Sequence, residues 1–166
     1  MSVKIRDIRV ICTAPEGINL VVVKIETNQP GLYGLGCATF AYRHLTVKHL
    51  IEEYMKPLLV GRPVENIEET WQLMHQNGYW RNGPIENNAI SGIDMALWDI
   101  KGKMAGMPLY ELFGGKVREG IPVYRHVDGR DINEICENIQ MYQEMGITHL
   151  SCLLYTSPSP RDSTSS

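Results

Sequence analysis

Three basic side chains have the chemistry to bind a small anionic molecule. Arg43 lies in the stretch CATFAYRHL, and Arg125 and His126 lie near the end of the run IPVYRHV. A guanidinium can pair with a carboxylate through two parallel hydrogen bonds, and an imidazole can donate or accept one. Structural interpretations stay open: Arg43 can cover the surface of the next helix, Arg125 can be a solvated or ion-paired cation, and His126 can be hydrogen-bonded beneath another layer.

Other groups capable of chemistry are better explained by structure. Asp94 and Asp99 lie five positions apart in one predicted helix, so their carboxylates do not share a face as metal ligands would. The glycines of GLYGLG follow a turn and open no helix, which gives little support to phosphate binding. The cysteines show no C-x-x-C spacing, which favours reduced core thiols over disulfides or a zinc site. They are Cys12, Cys37, Cys136 and Cys152.

The composition is that of a globular domain. Of the 166 residues, 43% are hydrophobic and 21% are charged, which is enough to bury a core. A net charge of −3 leaves no broad basic surface and argues against a nucleic-acid partner. No apolar run approaches the roughly 20 residues that span a bilayer, and the amino end alternates as a strand does. We therefore expect a cytoplasmic protein that contacts no membrane.

The first 120 residues predict an α+β layer. Three extended runs, VKIRDIRVICT, NLVVVKIET and GLYGLGCATF, are joined by short turns, which favours a three-stranded antiparallel meander. Helices follow the strands and do not alternate with them. The predicted helices begin near His44 and at Pro63, and the longest runs from about Pro84 to Met104.

Helical periodicity identifies the predicted buried faces. In the first helix, apolar residues recur at three- and four-residue steps, as expected for a stripe that faces a core. They are Val47, Ile51, Tyr54, Met55 and Leu58. In the longest helix, the predicted buried side comprises Ala89, Ile90, Ile93, Ala96, Leu97, Ile100 and Met104.

After Gly120 the order of elements changes to strand, helix, strand. Asp131 and Glu134 have the spacing of a capping pair at the start of the helix. Parallel strands need neighbours at both edges and cover on both faces, so this unit predicts further strands beyond Leu150. The stripe that would cover the sheet comprises Ile132, Ile135, Ile139 and Tyr142.

Several stretches together resemble the enolase superfamily. ALWDIKGK followed by PLYELFGG carries the resemblance to the superfamily, while YWRNGP and GCATF narrow it to the mannonate-dehydratase subgroup, whose members include proteins labelled starvation-sensing. The resemblance covers residues 3–150. It implies an α+β capping domain over a modified (β/α)8 barrel, and it identifies the chain as an N-terminal fragment of such a protein.

This architecture predicts three parts of the chain. Residues 1–120 would form the capping domain, 121–150 the first β-α-β of a truncated barrel, and 151–166 a non-native tail. Barrels of this kind need about 250 residues, far more than follow residue 120. The stretch CLLYTSPSPRD matches the translation of transposase-adapter DNA from sequencing libraries. We therefore expect that this stretch is adapter DNA that has been translated as if it were part of the gene. A natural disordered Ser/Pro tail fits the composition equally well.

The resemblance implies a Mg2+-dependent sugar-acid dehydratase, a carbon–oxygen lyase of the mannonate or gluconate type. A base would remove the proton beside the carboxylate, and the 3-hydroxyl would leave through an enediolate that a divalent cation stabilises. The superfamily's base, acid and Mg2+ ligands lie in later barrel strands, so we expect no catalytic or metal-binding residue here and an inactive fragment. A non-catalytic sensing or regulatory homologue of the same fold is the alternative.

The resemblance also implies which residues contact the sugar acid. His126 matches a histidine that contacts substrate in the subgroup, Arg125 is its neighbour at the strand end, and Arg43 lies in a cap loop that closes over the barrel mouth. Efficient mannonate dehydratases have an asparagine near the position of Ala41, so the particular sugar acid stays open. The full-length protein is expected to be a homo-oligomer.

Overall fold

The structure, a computed structural model, describes residues 2–152. The chain divides into two compact units between Lys116 and Val117, and each is described by itself. None of the helices in this range has the length and apolarity needed to cross a bilayer. The predicted domain assignments stay predictions, and of the predicted tail, 151–166, the residues from 153 onward lie outside the described residues. The elements are β1 (Ile5–Thr13), β2 (Leu20–Thr27), β3 (Tyr33–Cys37), α1 (His44–Leu50), α2 (Lys56–Leu59), α3 (Ile67–Asn77), α4 (Pro84–Ala105), α5 (Leu109–Leu112), β4 (Tyr124–Val127), α6 (Ile132–Glu144) and β5 (His149–Cys152).

The strands of the first unit form the predicted antiparallel meander. β2 lies between β1 and β3, with Val10 opposite Val23 and Val23 opposite Gly36. Alternate residues of β1 and β2, among them Ile8 and Ile25, are buried on one face. This alternation is the period of a strand that has one face on a core. The predicted α+β layer is confirmed.

Helix α4 packs directly against strand β3 of the sheet. Six of the seven residues predicted for its buried side are buried, and the exception is Met104, which is 44% exposed. A Cβ on Gly34 would come within 2.8 Å of Ile100 Cγ1, and one on Gly36 within 2.9 Å of the Ala96 nitrogen. Gly34 and Gly36 of GLYGLG are therefore needed for close packing between strand and helix.

The first predicted helix contains a turn of π-helix. This turn, Ile51–Met55, lies between α1 and α2. Along the helical segment made of α1, the π turn and α2, buried residues recur every four positions from Val47 to Leu59. Four residues overshoot one α-helical turn by about 40°, and the wider π turn offsets this drift. Tyr54, which was predicted to face inward, is 61% exposed, so that prediction was wrong.

Helix α3 begins later than predicted. Pro63, its predicted first residue, instead forms an isolated antiparallel bridge with Lys4. Beside this bridge, the N–H of Ile5 donates to the carbonyl of Arg62 (2.9 Å). This segment satisfies backbone groups at the outer edge of β1. The helix therefore starts only after the chain has left that edge, at Ile67.

The second unit has the predicted strand-helix-strand order. β4 and β5 pair in parallel, with His126 opposite Ser151. α6 begins with the predicted capping pair, because the N–H of Glu134 donates to the carboxylate of Asp131 (2.9 Å). The Glu134 carboxylate in turn accepts a hydrogen bond from the N–H of Arg130 (2.8 Å). The local capping pattern is confirmed.

Two details of the second unit differ from the prediction. β4 begins at Tyr124, while Ile121 and Val123 of the predicted strand are exposed. Ile132 is 72% exposed, whereas Ile135 of the same predicted stripe is buried. A sheet made of the two described strands, β4 and β5, is too narrow to cover the whole apolar side of α6.

The cysteines are less buried than predicted. Cys12, Cys37 and Cys136 are free thiols with exposed side chains. They lie at a strand end or on the faces that point away from the core, so the prediction of core thiols was wrong for these three.

Candidate substrate-binding site

Of the predicted cap loop CATFAYRHL, residues 38–43 lie between β3 and α1. This segment, called the cap loop below, is anchored at its base to β2. The N–H of Ala38 donates to the carbonyl of Val21 (2.9 Å), and the N–H of Val21 donates to the hydroxyl of Thr39 (3.0 Å). Ala38 is fully buried. These contacts fix the point at which the loop leaves the sheet. Thr39 was not among the predicted residues, although a threonine just after a strand often bonds to nearby backbone.

Arg43 lies at the exposed end of the cap loop. A 3-10 turn, Ala41–Arg43, closes the loop with a hydrogen bond from the N–H of Arg43 to the carbonyl of Phe40 (3.0 Å). Its guanidinium donates through Nη1 to the carbonyl of Tyr42 (2.7 Å), and the side chain is exposed. A guanidinium carries five N–H donors, so this contact leaves others able to bind a carboxylate.

Arg125 and His126 lie on opposite faces of the two-stranded sheet. The guanidinium of Arg125 lies 5.5 Å from the ring centroid of Tyr142 in α6. His126 meets the ring of Tyr124 edge-on, with 5.2 Å between ring centroids. Successive strand residues point to opposite faces, so the structure does not bring these two predicted residues together. The substrate contacts of Arg43, Arg125 and His126 stay predictions.

The described residues do not supply a magnesium site. Among residues 2–152, no group of three or more His, Cys, Asp or Glu side chains could hold a metal ion. Mg2+ prefers several oxygen ligands, typically carboxylates. Asp99 is engaged in packing instead, because its Oδ2 accepts from the N–H of Leu35 (2.8 Å) and from Lys103 Nζ (2.8 Å). We therefore assign no chemical step to a metal held by these residues.

The environment of Asp94 also favours a structural role over a chemical one. Burial raises the pKa of its carboxyl, and the negative charge of Glu68 raises it further. The native state therefore keeps this proton at pH values where the unfolded chain has released it. Ionisation of Asp94 opposes folding, and the stability of the chain falls as pH rises through this range.

We expect Asp94→Asn to stabilise the chain at pH 7 and to lose this advantage at pH 3. The amide keeps the shape of the side chain without its charge, so the gain is about 1 kcal/mol or less. Urea unfolding at both pH values, followed by tryptophan fluorescence, measures the effect. Asp99→Asn is the matched control, and it should destabilise the chain because it weakens the bonds to Leu35 and Lys103. A loss of stability in Asp94→Asn at pH 7 would contradict this interpretation.

The first unit defines a class of domain. It has an antiparallel three-stranded sheet, helices on one face, and a loop that carries an exposed arginine at the strand ends. Residues 2–114 match the family described as mandelate racemase / muconate lactonizing enzyme, N-terminal domain. This match covers most of the chain, so the chain belongs to that family and has the capping fold of the enolase superfamily.

Curated relatives match both units of the chain. A D-galactonate dehydratase family member from Enterocloster bolteae is 60% identical over 155 residues, which cover 93% of this chain and 38% of the relative. One from Musicola paradisiaca is 59% identical over 151 residues, 91% of this chain and 36% of the relative. The chain thus spans somewhat more than a third of the length of these relatives.

A solved structure gives the same result. The crystal structure of an enolase from Pantoea ananatis, with bound D-gluconate and Mg, matches with a TM-score of 0.84 and 55% identity. The match covers 91% of this chain and 36% of that one. The predicted membership of the enolase superfamily is confirmed. The two curated relatives carry the D-galactonate dehydratase family name, so membership of the narrower mannonate-dehydratase subgroup stays a prediction.

Proposed function

We propose that this chain is the substrate-covering N-terminal part of a Mg2+-dependent sugar-acid dehydratase. The observation that carries the proposal is the likeness to the Pantoea ananatis enolase, whose crystal contains D-gluconate and Mg. Identity of 55% over 91% of the chain supports a shared class of substrate, an aldonic acid. The second unit, with its parallel β-α-β order, would be the beginning of the barrel.

The proposed reaction removes water from the sugar acid. A base takes the proton from the carbon beside the carboxylate, an acid protonates the hydroxyl on the next carbon so that it leaves as water, and the enol product tautomerises to a 2-keto-3-deoxy acid. When bound, Mg2+ stabilises the negative charge that develops on the carboxylate oxygens. The base and the metal ligands are proposed to lie outside residues 2–152.

The residues of this chain are proposed to bind and cover the substrate. His126 would donate or accept a hydrogen bond at a sugar oxygen, since its ring lies on the sheet face away from α6. From the cap loop, Arg43 would contact the carboxylate or a hydroxyl of the sugar acid. The hydrogen bonds at the base of the loop would hold the loop in place. Arg125 is the weaker candidate, because its guanidinium packs over Tyr142 on the helix side.

A hybrid protein tests this function. Residues 1–150 of this chain would replace the matching part of the Enterocloster bolteae relative, and turnover would be measured with Mg2+ and each of D-mannonate, D-gluconate and D-galactonate. We expect the hybrid to form a 2-keto-3-deoxy acid from at least one of them, at a rate within about tenfold of the relative's own. The 166-residue chain alone is expected to show no turnover.

Two outcomes would count against the proposal. A correctly folded hybrid that turns over none of the three acids, while the relative does so under the same conditions, would show that this cap does not serve such a reaction. Turnover by the 166-residue chain alone would show that the catalytic groups were wrongly placed outside residues 2–152. Circular dichroism of the hybrid and the relative establishes that both are folded.

A further inference from the structure

Two adjoining cavities lie in the first unit between α1, α3 and the start of α4. The inner cavity, of about 320 Å³, has apolar walls that include Leu58, Met74 and Ile90. The outer cavity, of about 440 Å³, reaches the exposed ring of Trp80. Both are lined by Tyr54 and Glu86, among other shared residues, so one ligand could extend through both. Volumes of this size are typical of small-molecule sites.

The lining carries one carboxylate and two histidines, His49 and His75. Within the described part of the chain, Glu86 is the single carboxylate among the residues that line the two cavities, and no lysine or arginine lines either one. Its Oε1 would lie 3.5 Å from a Cβ placed on Gly78, so the carboxylate reaches across the cavity mouth to the end of α3. A cationic group at this position would be attracted to Glu86.

Aromatic rings favour the same kind of ligand. Tyr54 is exposed beside the shared part of the cavities, and Trp80 meets Tyr79 edge-on with 5.3 Å between ring centroids. The face of an aromatic ring attracts an ammonium ion. Tyr54 belongs to the π turn, and such turns are frequent at functional sites.

The first turn of α4 offers an anion two N–H groups at most, those of Ile85 and Glu86. Pro84 has no N–H, and the N–H of Asn87 is bonded to the carbonyl of Gly83 (3.0 Å). The Glu86 carboxylate occupies the first turn, where it complements the positive end of the helix dipole. An added carboxylate ligand would meet this like charge.

We propose that these cavities form a binding site for a small organic ammonium ion with an apolar tail. The tail lies in the inner cavity between Leu58, Met74 and Ile90, and the ammonium group lies between the Glu86 carboxylate and the rings of Tyr54 and Trp80. The site is separate from the cap loop and goes beyond the proposed dehydratase function, so either can fail without the other.

Hexylammonium chloride is the probe that tests this site. The 166-residue chain would be titrated at pH 8, where histidines are mostly neutral, and tryptophan fluorescence would be recorded. We expect saturable binding with a Kd of roughly 1 mM, and binding at least about tenfold weaker for 1-hexanol and sodium hexanoate. Equal binding of hexanol and hexylammonium, stronger binding of hexanoate, or no saturation by hexylammonium would overturn the proposal.

The variant Glu86→Gln separates the charge from the shape of the cavity. We expect it to weaken hexylammonium binding about tenfold and to leave hexanol binding unchanged. Glu137→Gln is the charge-matched control, because Glu137 is exposed on α6 in the second unit. It should bind hexylammonium as the parent does. Unchanged binding in Glu86→Gln would overturn the proposal.

A second measurement needs no variant. Raising NaCl from 50 to 500 mM should weaken hexylammonium binding by screening the attraction to Glu86, while hexanol binding should not weaken. If Glu86→Gln fails to fold, this comparison alone decides, and salt-independent hexylammonium binding would overturn the proposal.

Discussion

The Gly36→Ala substitution is expected to unfold the first unit at a much lower urea concentration than the parent chain. A Cβ at this position would overlap the carbonyl group of Gly92 and lie 2.9 Å from the nitrogen of Ala96. These are backbone atoms of α4, so no side-chain rotation can relieve the overlap. We expect a loss of ~3 kcal/mol or more, which lowers the urea midpoint by roughly 1–2 M.

Tryptophan fluorescence reports this transition, since Trp71, Trp80 and Trp98 all lie in the first unit. Gly120→Ala is the matched control, because a Cβ at Gly120 would meet nothing within 4 Å. It should leave the midpoint within a few tenths of a molar of the parent value. If the Gly36→Ala and Gly120→Ala variants have the same urea midpoint, β3 and α4 are not packed as described.

Removing the imidazole of His126 is expected to reduce kcat/KM of the hybrid protein by roughly 10- to 100-fold. This is the effect of losing one hydrogen bond to a polar or charged substrate group. The side chain is exposed and lies on the sheet face opposite α6, so His126→Ala should not disturb the core of the second unit. Steady-state kinetics with the best sugar acid measures the loss.

Arg125→Met is the matched comparison for His126→Ala. The methionine keeps an apolar contact with Tyr142 and removes the charge on the other sheet face. We expect it to change kcat/KM by less than about threefold, and His126→Gln to recover part of the activity by restoring a hydrogen bond. A larger loss in Arg125→Met than in His126→Ala would reverse the two assignments.

The features that the sequence predicted well depend on local periodicity. The alternation in β1 and β2, the apolar side of α4 and the capping pair of Asp131 and Glu134 all arise from neighbours in the chain. Each was visible because residue spacing alone decides which side chains share a face. Of these elements, β2 anchors the base of the cap loop through Val21.

The features that the sequence missed depend on contacts between distant segments. Pro63 suits the first turn of a helix, but the edge of β1 takes that backbone instead. Tyr54 fits a regular helical stripe, but the π turn rotates it outward. The packing of GLYGLG on α4 could have been inferred, since Gly34 and Gly36 share a strand face and small residues recur four apart in the helix.

Local spacing also separates two of the predicted substrate-binding residues, whose substrate contacts stay predictions. Arg125 and His126 are adjacent, so the period of a strand already places them on opposite faces. The two cavities beside α4 gave no sequence signal, because their linings come from separate helices and from the loop that precedes α4.

A crystal structure of the hybrid protein with D-gluconate and Mg2+ would show whether His126 and Arg43 contact the sugar acid. The quantity to measure is the shortest distance from a ring nitrogen of His126 to an oxygen of the bound sugar acid. We predict about 3 Å, the length of a hydrogen bond, with the cap loop closed over the ligand. Well-ordered D-gluconate that has no atom within about 4 Å of either His126 or Arg43 would contradict it.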